Sequence, residues 1–393
     1  MMRSFTRVSL SWVTAAAMTV ATFPIIAFSV LAADLIDEFG VSRAQVGFLV
    51  TATGLIGALL SPVFGRVTDR IGAVNATRSV LGIGALTLAA LAVSPAYGVL
   101  VLASLATGIP NGWSNPATNA LIVDNVPAGG RGVVTGIKQS GVQIGTFLGG
   151  LFLPILTRLW NWRVAVAAFI LIPLAGLSGM LGRPEAGARR GTHSHRHASS
   201  VPTAVRWIAL YGTISGLCTS AVFGFLPLFA EEDQGWSPGA AGALIAVVGL
   251  VGIGARVAWP SLSERGIGHG RTLRILAYLT AASAILLGLA SAGIVPSWPL
   301  IPAALLLGGG GIAWNAVGML AVMDFSPQQI VGRSTGLVLL GFLLGLAAGA
   351  PLMGWSVDLL GSYTPGFMTV VALQALDVLI ARRIPPSVTL AVS

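Results

Sequence analysis

Long apolar runs, separated by short polar loops that hold most of the arginines, set the pattern of this chain. A helix that crosses a bilayer needs roughly 20 predominantly apolar residues. Twelve stretches qualify: 10–32, 44–64, 77–94, 97–122, 133–156, 163–181, 206–229, 239–259, 272–292, 299–322, 334–356 and 365–381. The pattern predicts an all-α membrane protein with twelve transmembrane helices.

Composition agrees. The chain is 55% hydrophobic and 9% charged, whereas soluble domains carry about 25% charged residues. Aqueous loops could not hold this much apolar surface, so the bilayer is the main solvent. The pI near 11.1 would suit a nucleic-acid partner only if the basic residues formed a patch on a soluble fold. They sit instead at the ends of apolar segments, so no nucleic-acid partner is expected. The single cysteine, Cys218, excludes an internal disulfide and reads as a small packing residue. The opening residues imitate a signal peptide, with a small-residue site near Ala32. Their apolar run is long for a signal and many spans follow, so 10–32 is read as an uncleaved first helix.

The arginines orient the chain. With both termini cytoplasmic, 17 of the 22 basic residues fall inside, and three (Arg43, Arg158, Arg163) fall outside. That asymmetry is a positive-inside signal and predicts a prokaryotic cytoplasmic (inner) membrane protein. The two left over, Lys138 and Arg256, lie within spans, and Lys138 is the only lysine in the chain.

The longest loop divides the chain into an N-terminal six-helix half (1–181), a cytoplasmic linker (182–205) and a C-terminal six-helix half (206–393). Alternating His193, His195 and His197 in the linker read as solvated, and no metal site is expected. The halves repeat. At an offset of 200 residues Asn115 meets Asn315, Asp124 meets Asp324, and Gly141, Gly145 and Gly149 meet Gly341, Gly345 and Gly349. Near the second span the offset becomes 195, and Asp69 and Arg70 meet Glu264 and Arg265. Duplicated halves are the mark of transporters with a site between the repeats, so the two six-helix pseudo-repeats are expected to surround a central cavity.

"GRVTDRIG" (65–72), with Gly65, Asp69, Arg70 and Gly72, resembles the loop signature between the second and third helices of the major facilitator superfamily, and "SLSERG" is a degenerate second copy. With the twelve spans, the repeat and the central loop, the resemblance covers essentially the whole chain. It implies rocker-switch alternating access, with Asp69, Arg70, Glu264 and Arg265 as cytoplasmic gating residues. Two features depart from the superfamily's drug–proton antiporters: Ser104 stands where they carry a fourth-helix arginine, and "GVQIGTFLGG" lacks their Gly-Pro pair. Arg256, eight residues before Glu264, is similar to the eighth-helix arginine of the monocarboxylate and oxalate–formate porters, which contacts a substrate carboxylate. The aspartate that the monocarboxylate porters add one turn earlier is Gly252 here.

Ionised side chains in the bilayer core are costly and normally functional. Lys138 lies seven residues beyond Arg131, roughly 10 Å into the membrane at about 1.5 Å per residue. Arg256 and Asn115 reach similar depths of about 12 and 13 Å. Each cation breaks the repeat: Lys138 maps to Val338 and Arg256 to Ser61. The only acid in a span, Asp377, lies close to Arg382 and Arg383 in the last helix, which is expected at the periphery, and Asp124 and Asp324 read as helix-end caps. Two unpaired cations facing a wet cavity call for an anion; arginine can grip a carboxylate bidentately, and lysine adds a point charge. The competing readings are that Lys138 snorkels to the interface or is neutral, and that Arg256 ties down carbonyls at a helix end.

The sequence thus predicts a transporter of a small organic anion, a carboxylate, with Lys138 and Arg256 as ligands. Asn115, Asn119, Gln143, Trp314 and Asn315 are the expected further substrate-binding residues. Gln139 and Gln143 form a second stripe roughly 100° from Lys138, and Trp113 and Trp314 flank the repeated asparagines. The alternative is a proton-coupled exporter of drugs or other hydrophobic compounds. No nucleophile–base pair or phosphate loop is evident, so no enzyme is expected. Nor is a cofactor, beyond a coupling proton. The expected partners are the substrate and the lipid bilayer, and the chain is expected to act as a monomer.

Overall fold

Polar caps and glycine crossings carry the helices beyond their apolar windows. The structure, a computed structural model, describes residues 7–126, 131–183, 201–326 and 331–386. In the first half the helices are α1 (Arg7–Val30), α2 (Ala32–Phe39), α3 (Arg43–Ile71), α4 (Ala73–Ala92), α5 (Tyr97–Asn125), α6 (Arg131–Leu159), α7 (Trp162–Ala168) and α8 (Leu171–Ser178). The second half holds α9 (Thr203–Glu232), α10 (Pro238–Leu262), α11 (His269–Ser291), α12 (Leu300–Leu306), α13 (Trp314–Phe325), α14 (Val331–Leu360) and α15 (Thr364–Ala381). Nine of these helices, and the stretch Leu300–Phe325 that runs from α12 through α13, are long and apolar enough to cross a bilayer. The asparagine-bearing α5 and the broken pair α7–α8 complete the twelve crossings.

The structured helices outrun the predicted windows where local chemistry caps them. Ser42 accepts from Gln45 N at 3.2 Å while Gln45 Oε1 accepts from Ser42 N at 2.8 Å, a reciprocal capping box that starts α3. The predicted tenth span, 299–322, is interrupted: α12 passes through a π-helical turn, Leu307–Gly311, before α13 begins. The four consecutive glycines 308–311 allow that turn to press against α10, where a Cβ on Gly308 would sit 2.7 Å from Val248 O.

The chain divides into two compact units, 1–193 and 194–393. Residues 184–200 of the predicted linker, with its histidine trio, lie outside the described residues. In each unit the tightest helix contacts run through glycine, because lipid offers no apolar drive between helices and close packing must supply it. In the first unit a Cβ on Gly141 of α6 would strike Ala15 O of α1, and Thr19 Oγ1 donates to Gly141 O at 2.7 Å. Thr53 of α3 bonds Ser104 O at 3.1 Å and Thr107 Oγ1 at 2.8 Å on α5. In the second unit Gly345 and Gly349 of α14 leave no room for a Cβ against Thr213 O and Leu217 O of α9. Leu59, Leu86, Leu102, Leu250, Leu344 and Leu379 stay exposed on helix surfaces, as suits side chains whose solvent is lipid.

Candidate functional site

Lys138 sits on α6 facing α5, wholly buried at 0% exposure. Its Nζ donates to Asn115 Oδ1 at 2.9 Å and to Asn119 Oδ1 at 2.6 Å. The two asparagines are one turn apart on α5, so a single face presents both oxygens. This corrects the expectation of an unpaired lysine: it is held, but by neutral amide oxygens. No carboxylate among the described residues pairs with it. An ammonium has three donors, and two are used here. Asn115 and Asn119 are themselves exposed, so they cover the lysine and a ligand would meet their amides first. Gln143 is 1% exposed with Oε1 unpartnered, and five residues along the helix it does not join this cluster.

Arg256 in α10 is the second unit's cation. It is half-buried, and its Nε is enclosed without a hydrogen-bond partner. The competing reading, a tie to helix-end carbonyls, is not realised among the described residues. One turn on, Trp259 Nε1 donates to Gly309 O at 2.7 Å and pins α10 to the glycine π-turn. That turn leads directly to Trp314 and Asn315. Asn315 is half-buried and makes no hydrogen bond among the described residues. Trp314 is 1% exposed and packs edge-on against Tyr211 and Phe342, with ring centroids 5.5 and 5.3 Å away. The structure therefore places it in the packing of the second unit. Trp113 behaves likewise, stacking on Phe64 at 4.8 Å and donating to Thr68 Oγ1 at 2.8 Å.

The signature residues Asp69 and Arg70 are exposed at the end of α3, next to Gly72 with φ 86. Glu264 and Arg265 are exposed in the π-turn Ser263–Ile267, closed by Gly266 with φ 136 and Gly268 with φ 81. Beside this second copy lies a constellation that sequence reasoning missed. Ser263 Oγ is 2.6 Å from His269 Nδ1, and His269 Nε2 is 2.6 Å from Asp324 Oδ2. A hydroxyl–imidazole pair does exist, then, contrary to the sequence expectation. It clasps the loop to α13, and Asp324, read as a cap, anchors it. The only signal was the repeat of Asp124 at 324.

Asp377 also departs from expectation. It is 0% exposed and accepts from Ser215 Oγ of α9 at 2.7 Å. Five residues along a helix turn Arg382 well away from it, and Arg382 instead holds Tyr278 Oη through NH2 at 2.9 Å. On the far side of the first unit, Glu38 pairs with Arg163 at 2.5 Å and accepts from Trp162 Nε1. Burial pushes the Glu38 carboxyl up, but the hydrogen bonds from Trp162 and Arg163 and the Arg163 charge outweigh it, holding the group below the usual glutamate range.

Relatives give this geometry its context. The chain is 29% identical over 155 residues to a gallate transporter of Pseudomonas putida, covering 39% of this chain and 34% of that protein. It is 28% identical over 296 residues to the multidrug resistance protein MdtG of Dickeya zeae, covering 73% and 71%. Its fold matches the crystal structure of a D-xylose-proton symporter at a TM-score of 0.80 and 16% identity, over 97% of this chain and 98% of that one. The family profile of the Major Facilitator Superfamily matches residues 12–349. The chain is a multi-pass membrane transporter belonging to the Major Facilitator Superfamily.

Proposed function

We propose that this transporter carries a small organic anion bearing a carboxylate, with Lys138 and Arg256 as its anion-binding groups. One observation carries the reading: the two cations inside spans have no acid partner among the described residues. Lys138 has only neutral oxygens, and the Arg256 Nε has nothing. Burying an ion is tolerable when an opposite charge arrives. Asn115 and Asn119 orient the ammonium, and Asn315 offers a free amide in the second unit. Similarity to a protein named for gallate, an organic anion, supports the class. Asp69, Arg70, Glu264 and Arg265 act as gating residues in the alternating access that the family resemblance implies. The protein works as a monomer in a prokaryotic cytoplasmic membrane, with both termini inside and a proton as coupling ion.

A second reading, export of hydrophobic compounds, draws support from the multidrug relative, whose similarity spans more of this chain than the gallate relative's. One screen separates the two. Purified protein is heated with carboxylates of graded size and, in parallel, with hydrophobic cations. Carboxylates should stabilise the wild type, by about 2.7 kcal/mol at a hundredfold excess over Kd, and should do nothing for Lys138→Ala or Arg256→Ala. Stabilisation by hydrophobic cations alone, undiminished in both variants, establishes the exporter reading instead.

A further inference from the structure

Among the described residues Asp377 is the only acid that is fully buried, and the anion reading leaves it without a task. It lies in α15, which packs on α9, α11 and α14. Oδ2 accepts from Ser215 Oγ at 2.7 Å, whereas Oδ1 is enclosed with no donor. One turn earlier on the same face, Gln374 is 1% exposed; neither its Oε1 nor its Nε2 makes a hydrogen bond of ordinary geometry, and its amide lies beside the Cys218 thiol of α9. Thr219 Oγ1 on α9 is likewise unpartnered. Gln374 and Thr219 line a narrow cavity within the second unit, together with Cys218, Thr280 and Ser283.

No cation among the described residues neutralises this carboxyl. The titratable groups that face it are Tyr211 and Cys218, both on α9. On α15 itself, Arg382 is exposed at the helix end and engaged with Tyr278 of α11. The other ionisable groups of α11 lie at its start, where His269 holds Asp324 and Arg274 Nε bonds Gly270 O. Asp358 of α14 lies at the opposite end of the α14–α15 hairpin.

A single proton removes the mismatch. Bound on Oδ1, it neutralises the carboxyl and turns an orphaned acceptor into a donor. Gln374 Oε1, one turn away and lacking a donor, is its complement. When the proton leaves for water, the Gln374 amide can turn and offer Nε2 to the same oxygen. The cluster thus has a hydrogen-bonded arrangement for each state, and Ser215 donates in both. We infer that Asp377, with Ser215 and Gln374 as its hydrogen-bonding partners, is a proton-binding site inside the second six-helix unit and the carrier of the coupling proton. Only the word "coupling" rests on the transport reading; proton binding stands on the cluster itself.

Infrared difference spectra between acidic and alkaline buffer test this on the purified full chain with no transported compound present, so a wrong substrate class leaves the result untouched. The wild type should show a protonated-carboxyl C=O band that disappears as pH rises and shifts in D2O. Asp377→Asn should lose it, and Ser215→Ala should keep it with a displaced midpoint. Should the asparagine variant fail to fold, Asp377→Glu keeps a carboxyl and should move the band frequency. A band that persists in Asp377→Asn, or is unmoved in Asp377→Glu, overturns the assignment. So does a wild type with no such band whose Tm rises with sodium at constant pH, which would make the cluster a sodium site.

Discussion

Position 138 of α6 buries an ammonium beneath two asparagines, while the corresponding position of α14 in the second unit, Val338, is an equally buried valine. Asn115 has its counterpart in Asn315, but Asn119 is matched by Met319, so the second unit has no pair of oxygens to hold a cation there. The opposite holds for the last helix of each unit. The second buries Asp377, whereas residues 164–182 of the first contain no charged residue at all. The glycine crossings, by contrast, occur in both units. Glycines repeat because any six-helix unit of this kind needs close backbone approach. The buried charges Lys138 and Asp377 do not repeat, unlike the loop pairs Asp69–Arg70 and Glu264–Arg265, because the packing of the helices does not require them. The difference separates scaffold from chemistry inside one chain.

The comparison can be broken most forcefully at its shared part. Gly141→Leu and Gly345→Leu should both abolish folded yield, since each side chain would meet backbone on the facing helix; size-exclusion profiles of detergent extracts measure this. A monodisperse product from only one of them would mean the crossings are not equivalent. Next comes the exchange of charge. Val338→Lys places a cation where no asparagine pair exists and should cost about 3 kcal/mol on insertion scales, read as lost Tm.

Lys138→Val, which copies the second unit into the first, should fold normally yet lose the anion-induced stabilisation of about 2.7 kcal/mol at a hundredfold excess. With Asp377 carrying the proton, Lys138→Arg should keep both binding and flux, weakened by size. Intact binding without flux across pH 5 to 9 would instead move the proton to the lysine, because arginine keeps its charge at any such pH.

A smaller effect is expected at the signature loops. His269→Ala breaks the clasp between the second loop and α13 and should cost about 1–3 kcal/mol through the groups left unpaired. The first unit ties its loop differently, through Trp113 and Thr68, and should be unaffected. Hydrogen exchange confined to the second unit's loop checks this.

The smallest effect concerns Glu38, whose pair with Arg163 is partly exposed and worth less than about 1 kcal/mol. Its carboxyl sits below the ordinary glutamate value, so the contribution is present above that value and is lost as pH falls through the lowered one. Wild type and Glu38→Gln should therefore differ in Tm at neutral pH and converge in acid. A gap that widens in acid would reverse the sign.

Hydropathy and spacing alone determined the twelve crossings, the duplication, the two cations inside spans and the glycine crossings. These are properties of consecutive residues, or of two stretches compared, and membrane insertion reads them in the same local way. The asparagine stripe at 115 and 119 was legible for the same reason, being one turn of one helix. That it turns toward Lys138 was not, because rotation of α5 and α6 about their axes is set by contacts with α3 and α1 distant in sequence. The same cause hid the burial of Asp377. Along the chain it is five residues from Arg382, yet the helix turns the two apart and only the packing of α15 on α9 brings Ser215 to it. Trp314 and the Ser263–His269–Asp324 clasp complete the pattern. Each joins residues whose sequence separation carries no periodicity, so tertiary contact alone could decide their partners.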